Sequence, residues 1–273
     1  MKLAIFLMAL SLTLAPITSA AGPNASAASR GTGIRVPILV YHHFGAVARG
    51  AMAVRTRTLA WQLRYLEEHG YHVIWLRDYV DYRLGVASAP PPRSVILTAD
   101  DGRRSVFTDM LPLIRAFRMP VTLFIYPSAI SNASYAMTWG QLAALIHTGL
   151  FQVESHTCWH PNFEIEKRRL GPARYALFVS RQLTQSKRIL ERRLGIHVDM
   201  LSWPFGLYDR FLMRQAAAAG YVAAVTIERK AASPDDPLLA LPRYIVTDAD
   251  VGARFARLLE STAGQAQEPP HGS

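Results

Sequence analysis

Two short segments hold the residue types from which a hydrolytic site can be assembled: "TADDG", Thr98 to Gly102, and "SHTCWHP", Ser155 to Pro161. His156 and His160 are spaced i, i+4, so one turn of chain brings both imidazoles to the same side, where they can share an ion. Two imidazoles and one carboxylate leave coordination positions open for water and substrate, the composition of a catalytic metal site, and Asp101 is a carboxylate able to complete it. Cys158, midway between the histidines, points away from an ion they share and reads as a small buried residue. Each piece also has a plainer reading. Asp-Asp-Gly is common turn chemistry, because Asp bonds neighbouring backbone and Gly accepts unusual dihedrals, and a histidine pair is often packed or solvated. The elements that carry the two segments must decide.

Both segments follow apolar runs of strand length, "SVIL" and "FQV", and the same pattern recurs along the chain. "IRVPILVYHHF" (34–44) precedes a helical pattern over 56–71 with Leu59, Leu63 and Leu66 on one side and His69-Gly70 closing it. "HVIW" precedes "LRDYVDYRL", "SVILTAD" precedes "SVFTDMLPLIRAFR", and "PVTLFIY" precedes "TWGQLAALIHTG". "FQVES" leads to a long helix near 172–195, "VDMLSWPF" to "DRFLMRQAAAAG", and "YVAAVTI" follows. About seven strand and helix units predict an α/β chain with a mostly parallel sheet covered on both faces, a distorted or incomplete (β/α) barrel. In such barrels chemistry sits at the C-terminal ends of the strands. "VYHH", "TADDG", "ESHTCWHP" and "SWPFG" all fall at such ends, so four strands can address one mouth.

The bulk properties bound the rest. Residues 1–20, with Lys2, an apolar run from Leu3 to Leu14 and the small-residue end Thr18-Ser19-Ala20, read as a cleaved signal peptide that sends the mature chain to the periplasm or the medium; the alternative, an uncleaved anchor, needs a longer apolar run than this. Residues 21–33 are small and polar, a flexible leader, and 263–273 read as a disordered tail. Residues 34–262 form one domain, with "SAPPPRS" (88–94) a loop inside it. A single cysteine excludes an intrachain disulfide. The net charge of +10 is dispersed; the densest group, over 180–195, has Leu183, Ile189, Leu190 and Leu194 on an inner face and a solvated basic outer face. A basic surface favours an anionic envelope surface, and export argues against nucleic acid.

"TADDG", "SHTCWHP" and "SWPFG", in this order and at these strand ends, resemble the polysaccharide deacetylase family, carbohydrate esterase family four or the NodB homology domain, from about Arg93 onward. The resemblance implies that Asp100 is the general base and that Asp101, His156 and His160 bind a divalent ion, most simply zinc. It implies an acetylated polysaccharide as partner, an exopolysaccharide or cell-wall glycan, and release of acetate. Upstream, "PILVYHHF" and "QLRYLEEHGYHVIWL" are more loosely similar to the branch that de-N-acetylates poly-N-acetylglucosamine. The family's C-terminal Leu-x-His motif, which carries its general acid, is missing; by similarity to that branch, His42 takes the role, unless His42 and His43 merely end a strand. Ala99 replaces an aromatic, and Ser202 stands near where many members carry an arginine that pairs with the base. Arg243, in "LPRYIV", is the candidate replacement, its alternative being a surface arginine. Trp203 or Phe205 is available to a sugar face, or to the core. A related hydrolase acting on O-acetyl groups or a small amide, and a non-catalytic glycan-binding module, stay open.

Overall fold

The apolar runs become parallel strands whose register lines up their C-terminal ends. The structure of the protein, a computed structural model, describes residues 34–260; the segments expected to be a signal peptide, a leader and a tail lie outside the described residues. The strands are β1 (Ile38–Tyr41), β2 (His43–Gly45), β3 (Ala53–Arg55), β4 (His72–Ile74), β5 (Ser94–Asp100), β6 (Val121–Ile125), β7 (Phe151–Ser155), β8 (Met200–Ser202), β9 (Ala223–Val225) and β10 (Tyr244–Ile245). The helices are α1 (Thr56–Glu68), α2 (Leu76–Arg83), α3 (Leu111–Phe117), α4 (Trp139–His147), α5 (Phe163–Arg169), α6 (Pro172–Leu194), α7 (Arg210–Ala218) and α8 (Ala253–Leu259). The main sheet runs β10-β1-β5-β6-β7-β8-β9, with β4 also on β5, while β2 and β3 pair separately. Its two ends meet through residues 241–245. Leu241 bonds the backbone of Ala224 and Thr226, and Tyr244 and Ile245 lie opposite Leu39 and Val40 of β1. The fold is the predicted distorted (β/α) barrel, curled from seven strands.

Side chains alternate between the faces of each strand. Ile38, Ile96, Phe124, Met200 and Ala223 share a buried cluster with Leu76, Tyr79 and Val80 of α2. Their neighbours Leu39, Leu97, Leu123, Val153 and Leu201 pack instead with helix residues such as Leu59, Leu63, Val179 and Leu183. Thr98 and Asp100 lie on the Ile96 side of β5, so polar groups crown the inner apolar layer.

The helices begin and end where local chemistry dictates. Thr138 caps α4, its hydroxyl accepting from the Gln141 N–H while the Gln141 side chain accepts from the Thr138 N–H. Asn162 and Asp209 cap α5 and α7 through their side-chain oxygens. The segment after the aspartates differs from a plain helix: a π-helical turn, Val106–Met110, precedes α3. Pro112 lacks the N–H that a continuous α-helix would return to Thr108, which the wider turn accommodates. On α6 the fully buried face is Tyr175, Val179, Gln182, Leu183, Ser186 and Leu190, while Ile189 and Leu194 are only half-buried. Two polar side chains therefore occupy the inner stripe of a helix that the sequence suggests is apolar there.

Candidate active site

The register pairs Tyr41 with Ala99, Asp100 with Phe124, Ile125 with Ser155, and Ser202 with Val225. The residues just beyond these pairs therefore emerge at one rim, and His42, Asp101, His156 and Trp203 are among them. Together with Asp100 and His160 they line one cavity of about 190 Å³. Backbone conformation aims the candidate ligands. Asp101 has φ +74°, which Asp tolerates, and Gly102 follows at φ +66°, where an added Cβ would sit 2.8 Å from Ile130 Cδ1. The Asp-Asp-Gly tripeptide is thus a turn as well as a site; the turn is what separates the two carboxylates.

Asp101, His156 and His160 each direct one ligand atom into a group whose members lie within 4.8 Å of one another. His156 Nε2 is 3.8 Å and His160 Nε2 4.0 Å from Asp101 Oδ1. His156 Nδ1 lies 2.8 Å from the Ser202 carbonyl oxygen, which fixes it as the N–H donor and leaves Nε2 with its lone pair toward Asp101. Burial pushes the His156 pKa down to about 4, against the opposing pull of Asp100. Burial also lowers that of His160. Two neutral imidazole nitrogens and one carboxylate oxygen converging in this way fit a divalent ion of the zinc type.

Asp100 is buried to 2 % exposure and is tied down on both oxygens. Arg243 Nη1 donates to Oδ1 at 2.9 Å and Nη2 to Oδ2 at 2.7 Å. Ser202 Oγ donates to Oδ2 at 3.0 Å. Arg243 is fully buried, not a surface residue, and spends its other donors on the Thr226 carbonyl, Thr98 Oγ1 and Ser202 Oγ. A planar bidentate fork of this kind is the strong form of an ion pair. Burial alone would raise the Asp100 pKa; Arg243 beside it, with His156, more than offsets this and holds the carboxyl well below the usual range.

His42 is 8 % exposed, and its Nδ1 has no hydrogen-bond partner among the described residues. Burial lowers its pKa, partly countered by Asp100 and Asp101. His43, by contrast, turns toward the Arg49 carbonyl at 3.1 Å and is not part of the cavity. Of the two candidate aromatics, Trp203 is 1 % exposed with its indole N–H bonded to the Leu239 carbonyl, whereas Phe205 is 54 % exposed, edge-on to His160 at 4.6 Å. Phe205 has φ +57°, and Gly206 follows at φ +67°, where an added Cβ would lie 2.4 Å from Ile227 Cγ1. The turn therefore requires that glycine, and it holds the ring at the mouth. Cys158 is half-buried and free, with its carbonyl accepting from the Ser128 N–H.

All six sequence-derived site residues, Asp100, Asp101, His156, His160, His42 and Arg243, meet at this rim or directly beneath it. Two partners escape a reading of the sequence. Thr98 links Arg243 to the Leu39 carbonyl, and Ser202 serves Asp100 through its hydroxyl and His156 through its carbonyl. The signal for Thr98 is its i−2 position to Asp100, on the same strand face. Ser202 stands out in sequence only for the arginine it replaces.

A family model described as polysaccharide deacetylase matches residues 87–224, half of the chain. The chain is 25 % identical over 227 residues to the protein YxkH of Bacillus subtilis (strain 168), covering 83 % of this chain and 77 % of that one. It is 22 % identical over 192 residues to the poly-beta-1,6-N-acetyl-D-glucosamine N-deacetylase of Staphylococcus aureus (strain MRSA252), covering 68 % of this chain and 65 % of that one. Among solved structures, the deacetylase PplD of Streptococcus pyogenes superposes with a TM-score of 0.75 at 20 % identity, over 84 % of this chain and 99 % of PplD. With the parallel barrel and the Asp, His and His group at its rim, the match shows that the chain belongs to the polysaccharide deacetylase family.

Proposed function

We propose that the protein is an exported hydrolase that removes N-acetyl groups from an N-acetylglucosamine-containing polysaccharide, using zinc held by Asp101, His156 and His160. The observation that carries this reading is the placement of that ligand group beside an arginine-bound carboxylate in one cavity. When bound, the ion supplies Lewis acidity, polarising the acetamide carbonyl and acidifying water. Asp100 takes the proton as water attacks. Its low pKa keeps it ionised throughout the neutral range, so it depends on a water that is already acidic. Arg243 and Ser202 hold both of its oxygens, so the base is oriented before substrate arrives. His42 gives a proton to the departing amine nitrogen; because burial lowers its pKa, the imidazolium is a strong donor once formed. Proton exchange between Asp100 and His42 resets both groups. Phe205 offers its exposed ring to a sugar face at the mouth. The substrate named for the Staphylococcus aureus relative supports the choice of poly-N-acetylglucosamine over other glycans.

The test is acetate release from a panel holding poly-N-acetylglucosamine, chitin oligomers and O-acetylated xylan. Release from the first, abolished in His156→Ala and accompanied by loss of about one divalent ion per chain, is expected. Release confined to xylan makes the protein an O-acetyl esterase with the same site, and release from none refutes the enzymatic reading. N-terminal sequencing of exported material should begin near Ala21.

A further inference from the structure

The metal-ligand loop holds its shape against its own backbone preferences. Between His156 and His160 the chain carries two residues with positive φ that are not glycine, Thr157 at +63° and His160 at +60°. Thr157 is β-branched, and such a conformation is unfavourable unless its surroundings impose it. Local bonds do part of this: the Thr157 N–H donates to Ser155 Oγ, and the His160 N–H to Thr157 Oγ1, both at 3.2 Å. The rest comes from α6, far off in sequence. Gln182 Oε1 accepts from the N–H of Trp159, the residue just before His160, at 3.2 Å, and Ser186 Oγ lies 2.8 Å from Ser155 Oγ.

Gln182 and Ser186 are 4 % and 0 % exposed and sit i, i+4 on one face of α6 between Val179, Leu183 and Leu190. Polar groups in such a stripe cost stability unless they are hydrogen-bonded, and an apolar residue would serve helix packing better. Gln182 instead reaches the loop just before the second histidine, and Ser186 reaches Ser155 at the strand end that precedes the first. We infer that Gln182, with Ser186 beside it, is a positioning residue that sets the mutual geometry of His156 and His160 and so the affinity of the site for its ion. This rests on the metal reading above and extends it to a residue that touches neither ion nor substrate. Groups that orient metal ligands from outside the coordination sphere typically contribute about 10- to 100-fold in affinity.

The experiment compares wild type, Gln182→Leu, Gln182→Glu and Ser186→Ala. Zinc affinity is read by competition with a chromophoric chelator, and the thermal midpoint and the exchange rate of the Trp159 amide are measured on the metal-free proteins. Gln182→Leu should bind zinc at least ~10-fold more weakly and exchange the Trp159 amide faster. Gln182→Glu, which keeps an acceptor oxygen at the same reach, should recover most of the affinity. Ser186→Ala should lie between. If Gln182→Leu lowers only the thermal midpoint, and the folded protein binds zinc as wild type does, Gln182 is structural and the inference fails while the metal site stands. Equal weakening in Gln182→Glu and Gln182→Leu also overturns it, since packing and not the acceptor would then matter. Should Gln182→Leu fail to fold, the Gln182→Glu and Ser186→Ala affinities and Trp159 exchange rates decide, wild-type values in Ser186→Ala counting against the role of α6. No zinc binding by wild type overturns both readings.

Discussion

Replacing Arg243 by leucine removes the cation beneath the proposed base and leaves its bulk largely filled. Arg243 is fully buried and makes five hydrogen bonds, two of them to Asp100. Asp100 itself is 2 % exposed, so Arg243→Leu strands a carboxylate whose remaining hydrogen bond among the described residues is the one from Ser202 Oγ. Removing one member of a buried pair costs about 3–5 kcal/mol, a large share of the ~5–15 kcal/mol that keeps a domain folded. Asp100→Asn strands the guanidinium in turn, at a similar cost. The double variant holds no buried charge from the pair, so its cost should fall short of the sum by about 3 kcal/mol. Urea unfolding of the metal-free proteins at pH 7 measures all four corners of this cycle. A second arm uses pH. In wild type the folded pKa of Asp100 lies below its ordinary 3.8, so its contribution is present above that value and is lost only as pH falls beneath it. In Arg243→Leu burial acts without the opposing cation and the folded pKa lies above the unfolded one. The penalty is then absent at low pH and grows as pH rises through the folded value, so the variant's deficit should shrink between pH 7 and about pH 4.5. Costs that add to within ~0.5 kcal/mol, or a deficit unchanged with pH, would refute the argument that the pair is a coupled buried charge unit.

The adjacent aspartates should separate cleanly: Asp101→Asn loses both metal and activity, whereas Asp100→Asn keeps the ion and loses ~100-fold or more in turnover, as elemental analysis and acetate release will show. Stripping of the metal by Asp100→Asn, with Asp101→Asn still active, reverses the assigned roles. Glu154, on β7, is buried, its Oε2 accepting from the Met200 and Asp199 N–H groups at the start of β8 at 2.8 and 3.1 Å. Burial pushes its pKa up to about 8, and the Met200 N–H offsets this only in part. A raised carboxyl contributes stability below its unfolded value of 4.5 and loses it as pH climbs toward 8. The substitution Glu154→Gln, which keeps the acceptor without the charge, should therefore leave the thermal midpoint at about pH 5 nearly unchanged and raise it at about pH 8.5 by about 2–4 °C per kcal/mol recovered, read by calorimetry at both pH values.

The strands were legible because buried parallel strands are short apolar runs, and the sites because their polar residues interrupt those runs at the C-terminal end. "SVILTADDG" carries both messages in nine residues. Arg243 was legible only as a candidate. Its sequence neighbourhood, "LPRYIV", is that of an ordinary strand start, and its burial follows from the closure of the barrel, which no local pattern states. Gln182 and Ser186 were illegible for a different reason. In a helix of mean polar character the apolar stripe is recognised by its leucines, and polar residues within it read as solvated until the loop they meet is known. Trp203 and Phe205 could not be told apart, since burial of one and exposure of the other depend on the left-handed turn at Phe205 and Gly206.

The stretch between Leu241 and Ile245 bonds β9 on one side and β1 on the other, and Arg243 rides within it. Asp100 is synthesised 143 residues before the cation that neutralises it. Until this last strand inserts, burying Asp100 is electrostatically unfavourable, and contacts so distant in sequence form late. The carboxylate then works as a latch on assembly: it resists enclosure in an open barrel and rewards enclosure once the ring is complete. A chain truncated ahead of Arg243 would retain Asp101, His156 and His160 and still lack the cation that orients Asp100, so on the proposed mechanism hydrolysis would begin only when the fold has been finished.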